Sequence, residues 1–310
     1  MPEDPAAAEA QPPDRGPGPV APPPAEVAPE CVKVCVRVRP LNSKENSEGS
    51  VQCVKFPSSN EIIIGKDRRF TFDNVFEPDD GQDEVYSRTA LPLVDKVMEG
   101  FNATVLAYGQ TASGKTHTMG SACGDGLSPE HVGVIPRAMD HFFKRKAEKE
   151  AAGDKIEISV EFLEIYQEEC YDLLSGTTKE DGQKGLPIRE EDGLVYVAGA
   201  TSEPVKCADG ALECLSRGTV SRSVGETLMN SVSSRSHAIF SITVKCTGER
   251  NTTSKLHFVD LAGSERAKRT AAEGIRMKEG ININQVSYYF KICSLGEFKR
   301  HCCRRHCNAL

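Results

Sequence analysis

The chain reads as an α/β domain with one central, mostly parallel sheet flanked by helices. Three observations predict this. Strand-like and helix-like segments alternate along most of the 310 residues. Gly109-Gln110-Thr111-Ala112-Ser113-Gly114-Lys115-Thr116 is a complete phosphate-binding loop of the form G-x-x-x-x-G-K-[ST], set where an apolar run hands over to a proline-free stretch. Asp260 closes a second apolar run, Leu256-His257-Phe258-Val259, and an aspartate at the end of a buried strand is where such sheets hold Mg2+.

The elements follow in chain order. Residues 1–30 hold more than half of the 18 prolines, mixed with Ala, Glu and Gly. Such a segment buries too little apolar surface to offset its ordering entropy, and it is expected to be a disordered arm. Order begins at Cys31–Val38, where valine and cysteine alternate with polar residues as in a strand. Val51–Phe56, Glu61–Ile64 and Arg69–Phe72 predict a small sheet of hairpins. Gln82–Phe101 has Val85, Leu91, Val94 and Val97 at roughly helical spacing, with Pro92 marking a kink or a new helix start. Val105–Ala107 is the strand feeding the loop. Ile135–Ala152 is a helix whose charged run, Lys144–Glu150, reads as a solvated face.

Ile156–Tyr166 alternates apolar and polar residues and predicts a strand. Cys170–Leu174 reads as a short helix or turn. Leu186–Glu190 and Leu194–Ala198 form a strand pair around Gly193, and Ala208–Arg217 is helical. Ala238–Cys246 and Lys255–Asp260 are two further strands joined by the polar turn Gly248–Ser254.

The loop chemistry follows from its residue types. Gly109 and Gly114 let the backbone turn its N–H groups toward phosphate oxygens, and the following helix adds its N-terminal partial charge. Lys115 would reach the β- and γ-phosphates, and the Thr116 hydroxyl would ligate Mg2+. Gly263, just past Asp260, could offer its N–H to a γ-phosphate and swing when that phosphate leaves. Asn230-Ser231-Val232-Ser233-Ser234-Arg235-Ser236-His237 packs hydroxyls, an arginine and a histidine into one polar stretch.

Four segments together, Arg37-Val38-Arg39-Pro40, Tyr108–Met119, Asn230–His237 and Asp260–Glu265, resemble the kinesin motor domain in kind and order. The match covers about Cys31–Asn284, and Met277–Asn284 resembles the chromosome-associated kinesins. The resemblance implies a P-loop NTPase fold of kinesin type, Mg2+ and ATP as ligands, ATP hydrolysis, and microtubules (tubulin) as partner. It places Arg37, Arg39 and Pro40 on the purine and ribose side, and His117 beside the nucleotide. Ser233 and Ser234 become the first switch, with Ser234 completing the Mg2+ shell of Thr116 and Asp260. Arg235 and Glu265 become the pair that forms a salt bridge when the two switches close.

After Asn284 the sequence departs from the family. Residues 285–310 do not resemble the expected helix, and the last core strand, the microtubule-facing helices and any dimerising heptads are not recognisable. The reading expects an ended or alternatively spliced product, monomeric, with doubtful motility. A nucleotide-binding but motility-dead regulatory or decoy fragment is the alternative. His301-Cys302-Cys303-Arg304-Arg305-His306-Cys307 lacks paired C-x2-C spacing and is expected to be a thiol-rich, disordered tail rather than a zinc site.

Composition bounds the rest. A formal net charge of −7 argues against a nucleic-acid protein, and against an acidic track any binding face must be a local basic patch. No run is long enough to span a membrane and no signal peptide is apparent, so a cytoplasmic, cytoskeletal protein is expected, its 12 cysteines reduced.

Overall fold

The computed structural model describes residues 32–121, 128–177, 182–191, 194–224, 235–248 and 251–265. From Cys35 onward these belong to one compact unit; residues 32–34 belong to another and carry no helix or strand. The N-terminal arm, the first-switch serines, the Met277–Asn284 stretch and the divergent tail lie outside the described residues.

The chain opens with β1 (Cys35–Arg37) and a one-turn helix, α1 (Ser43–Ser47). Asn42 caps α1: its side chain accepts from the Glu45 N–H while Glu45 returns a bond to the Asn42 N–H. β2 (Val54–Ser58), β3 (Glu61–Ile64) and β4 (Arg68–Thr71) form the expected hairpin sheet. β5 (Asn74–Phe76), not read from the sequence, runs parallel to β1.

The predicted long helix is two helices. α2 (Gln82–Thr89) ends at Ala90, and α3 (Leu91–Met98) begins there with Pro92 in its first turn. Proline fits that position because its missing N–H would have no partner there, so Pro92 marks a start rather than a kink. β6 (Ala103–Ala107) leads through the loop into α4 (Lys115–Met119), and α5 (Val134–Ala151) follows a tight turn at Pro129–His131.

The sheet comes next. β7 (Lys155–Tyr166) and β8 (Glu169–Asp172) form a hairpin, so Cys170–Leu174 is mostly strand rather than a short helix. Gln167 and Glu168 both take positive φ in the connecting turn, at 51° and 68°. β9 (Ile188–Glu191) and β10 (Leu194–Val197) form the expected pair. A short β11 (Glu203–Val205) precedes α6 (Ala208–Val224), which runs a further seven residues past the predicted Arg217. β12 (His237–Thr247) and β13 (Thr252–Asp260) complete the sheet in the order β11-β7-β12-β13-β6, with β8 beside β7.

This sheet is mixed, which corrects the mostly parallel expectation. β13 pairs in parallel with β6, whereas β11–β7, β7–β8, β7–β12 and β12–β13 are antiparallel. For two of these pairs the reason is connection length. β7–β8 and β12–β13 are joined by short turns, which force antiparallel neighbours; parallel pairing needs a crossover.

One face of the sheet packs on α3, α5 and α6. Ile158, Val160 and Phe162 of β7 and Phe240 and Ile242 of β12 point into that core. Phe162 meets Phe240 edge to face at 5.4 Å. Ser254 Oγ donates to the Val97 carbonyl at 2.7 Å, tying α3 to β13. On the other face Leu163, Ile165, Ile239 and Val259 cluster with Ile188 and Val197 of the β9–β10 hairpin. The central strands thus bring Asp260 and the phosphate loop to the same sheet end, with Asp260 opposite Ala107.

Candidate nucleotide site

The phosphate loop is shaped by positive φ at Gly109, Ala112 and Gly114. Gly114, at the N-cap of α4, sits at φ 96° in left-handed space, and a Cβ there would meet no atom within 4 Å. Its need for glycine is therefore conformational, not steric. Ala112 also has positive φ, at 62°. Lys115 Nζ donates to the carbonyls of Gly109 (2.9 Å) and Gln110 (3.1 Å), folding back over the loop. Burial lowers its pKa, and Asp260 and Glu265 work against that.

Beneath the loop the Thr116 hydroxyl donates to Asp260 Oδ2 at 2.7 Å. Asp260 Oδ1 is buried and has no hydrogen-bond partner among the described residues. Burial raises the Asp260 pKa, opposed by the Thr116 hydroxyl and by the charges of Arg222 and Lys115. A carboxylate with one orphaned oxygen beside a threonine hydroxyl is an all-oxygen donor set. It fits a hard cation such as Mg2+, which keeps waters and takes one or two protein oxygens.

Behind Asp260 lies a buried ionic group that sequence reasoning missed. Arg222 of α6 places Nη1 at 4.0 Å from Asp260 Oδ2 and Nε at 3.7 Å from Glu164 Oε1. It also donates to Ser236, at 2.9 Å to the carbonyl and at 3.1 and 3.2 Å to the hydroxyl. Glu164 did carry a signal. It falls in phase with Ile158, Val160 and Phe162, the core-facing positions of β7, so a carboxylate stands in an apolar register.

The segment after Asp260 is zipped onto the loop. Leu261 N donates to Ala107 O (3.2 Å) and Ser264 N to Gly109 O (3.1 Å). Glu265 accepts from the Thr111 N–H at 2.9 Å with one oxygen and from the Thr111 hydroxyl with the other. Burial pushes the Glu265 pKa up, but the Thr111 bonds and Lys115 outweigh it and the net shift is down. Gly263 lies directly under this contact: a Cβ there would collide with the Glu265 carboxylate and the Thr111 hydroxyl. The Ala262 N–H donates to His237 Nδ1 at 3.1 Å, linking the segment to β12. Burial, then Arg222 and Lys115, take the His237 pKa down to about 4. Arg235 stands two residues before β12; Ser233 and Ser234 lie outside the described residues.

Of the three residues expected at the nucleoside end, both arginines are held by protein. Arg37 Nη1 donates to Gln82 Oε1 (2.6 Å) and Thr118 Oγ1 (2.9 Å). Gln82 Nε2 donates to the His117 carbonyl (2.7 Å) and lies 3.3 Å from His117 Nδ1. Nδ1 is then the acceptor, which puts the His117 proton on Nε2. Arg39 Nε donates to the Ala112 carbonyl at 2.9 Å, and its guanidinium pairs with Glu45 at 2.6 and 2.8 Å and with the Pro40 carbonyl at 2.9 Å. Gln82 was not anticipated, because a glutamine at a helix start carries no pattern of its own.

A strand–loop–helix phosphate cradle with a hydroxyl–aspartate pair beneath it defines a nucleoside triphosphate-binding protein of the P-loop class. Residues 37–291 match the kinesin motor domain family, and the chain belongs to that family. It is 42% identical over 290 residues to "Kinesin-like protein KIF21B" of Homo sapiens, covering 82% of this chain and 18% of that protein. It is 46% identical over 262 residues to "Chromosome-associated kinesin KIF4" of Xenopus laevis, covering 82% and 21%. A solved structure described as "Structure of a fast kinesin: Implications for ATPase mechanism and interactions with microtubules" aligns with a TM-score of 0.75 at 34% identity, over 83% of this chain and 73% of that one. The chain spans about a fifth of the length of these two relatives. Motor domains of the family bind ATP with Mg2+ and are microtubule-stimulated ATPases. Among the described residues no helix is long and apolar enough to cross a membrane.

Proposed function

We propose that the chain binds Mg2+ and ATP at the Gly109–Thr116 loop and hydrolyses the nucleotide as a microtubule-stimulated motor domain of the cytoskeleton. The observation that carries this is the Thr116–Asp260 pair, with its orphaned carboxylate oxygen, beneath a loop built for phosphate. Gln110, Thr111, Ala112 and Ser113 turn backbone toward the phosphates between Gly109 and Gly114, and Lys115 exchanges its loop carbonyls for phosphate oxygens. Thr116, Asp260 and Ser234 are the residues that would hold Mg2+, which when bound neutralises charge developing on the phosphate oxygens.

Hydrolysis in such a site is mainly positioning and charge stabilisation. Ser233 and Ser234 orient the attacking water. Arg235 and Glu265 close over it once Glu265 leaves Thr111, and exclusion of bulk water strengthens every charge inside. Gly263 follows Glu265 because the two share one packed corner. Arg37, Arg39, Pro40 and His117 frame the nucleoside end. Two lines support the microtubule as partner: family membership, and the wording "interactions with microtubules" attached to the similar solved structure.

The test is ATP turnover by the purified chain with and without microtubules, beside a Lys115→Ala control. Stimulated turnover that disappears in the control is the expected result. Nucleotide binding without stimulation would overturn the motor reading, and no binding would overturn both.

A further inference from the structure

We infer that Gln82 is a positioning residue for the nucleoside end of the site, an inference that rests on the nucleotide reading above. Gln82 is the first residue of α2 and only 1% exposed. A buried amide must find partners for both its oxygen and its nitrogen. Its orientation is decided by chemistry. Arg37 can only donate, so the atom facing it at 2.6 Å is the oxygen. The nitrogen then faces the His117 carbonyl at 2.7 Å and, more distantly, the His131 carbonyl at 3.5 Å.

One side chain therefore joins three segments: β1 through Arg37, α4 through His117, and the Pro129–His131 turn. Thr118 of α4 is the second acceptor of the same Arg37 nitrogen, and the Asp80 carbonyl lies 3.5 Å from the other. Arg37 is held by acceptors from α2 and α4, and His117 is held by the same Gln82 amide. None of these bonds reaches Lys115 or Thr116, whose partners are Gly109, Gln110 and Asp260. Gln82 thus bonds only to residues of the nucleoside end, although Arg39 ties that end to the phosphate loop through the Ala112 carbonyl.

Removal of the amide leaves the Arg37 N–H and the His117 carbonyl short of their buried partner. The guanidinium and the imidazole then lose their fixed places while the phosphate cradle keeps its own. A residue that served only to stabilise the fold would weaken both ends alike, or would reduce the fraction of chain able to bind.

The experiment is calorimetric binding of Mg2+·ADP and of Mg2+·pyrophosphate to the full chain. In Gln82→Met, ADP affinity is expected to fall roughly tenfold, the scale of one lost bond to a charged group, with pyrophosphate affinity and stoichiometry unchanged. Gln82→Glu keeps the acceptor for Arg37 but loses the donor for His117, and is expected to fall between. It also serves as the second variant should the methionine chain not fold. Equal weakening of both ligands, or ADP affinity like wild type in a variant that melts normally, overturns the inference. A wild-type chain that binds neither ligand overturns the nucleotide reading itself; ADP binding abolished by Lys115→Ala supports that reading independently of Gln82.

Discussion

Glu265 grips Thr111 with both carboxylate oxygens, one on the backbone N–H at 2.9 Å and one on the hydroxyl. The segment that follows Asp260 is thereby fastened to the phosphate loop across 154 positions of sequence. Gly263 makes the contact possible, because any side chain there would occupy the space of the carboxylate. Gly263→Ala is expected to fold and to release Glu265 from Thr111, while the added Cβ keeps Gly263 and Glu265 from closing together over the water; ATP turnover should fall on the order of 100-fold, the effect of misplacing a catalytic constellation by about an ångström. Steady-state turnover beside nucleotide affinity checks this; an alanine variant with wild-type turnover refutes it.

His237 makes the fold acid-sensitive. Its pKa falls from 6.5 to about 4 because it is buried and faces Arg222 and Lys115, and its Nδ1 must stay unprotonated to accept from Ala262. Between those values the unfolded chain binds more protons than the folded one. Its contribution is therefore complete above about pH 6.5 and is lost as pH falls toward 4. His237→Asn keeps a side-chain oxygen acceptor that does not titrate. Melting midpoints from pH 7 to pH 4 should decline less steeply in this variant, and parallel curves would count against the assignment.

Arg222 stands against both Glu164 and Asp260. Its side chain is 8% exposed and that of Glu164 is 0%. Arg222→Met removes a buried cation from beside two buried carboxylates, and the expected loss is about 3–5 kcal/mol in urea unfolding. A loss below 1 kcal/mol would mean that water reaches the group.

Gly218 lies against the ring of Phe162, where a Cβ would overlap the aromatic carbons. Phe162 is itself buried and set edge to face against Phe240, so it has no room to yield. Gly218→Ala should therefore cost about 1–3 kcal/mol, although alanine favours helices elsewhere. Denaturant titration would show the sign directly.

The strands were legible where one face alternates with the other. β7 repeats apolar residues at period two over its first half, where one face is buried against helices, whereas β12 is buried on both faces over most of its length and its alternation is weaker. β5 and β11 are three residues long, too short for any period to register, and only pairing partners define them. The two-helix break at Ala90 was visible as Pro92 but not resolvable, since proline permits either a kink or a start. Strand direction was misread as mostly parallel because alternation of elements says nothing of pairing until the turn lengths are known.

By itself the sequence determined the phosphate loop, the aspartate strand and the family, because each depends on residue types at fixed local spacing. Backbone amides, a lysine and a hydroxyl within eight residues need no distant partner to be recognised. Only the tertiary structure decided which residues serve them. Gln82 meets Arg37 from 45 positions away, Arg222 reaches from α6 to Glu164 on β7 and Asp260 on β13, and Glu265 settles on Thr111. The first two of these partnerships are set by burial: a polar group shut away from water must bond to whatever the packing brings within reach, and packing is a property of the whole chain.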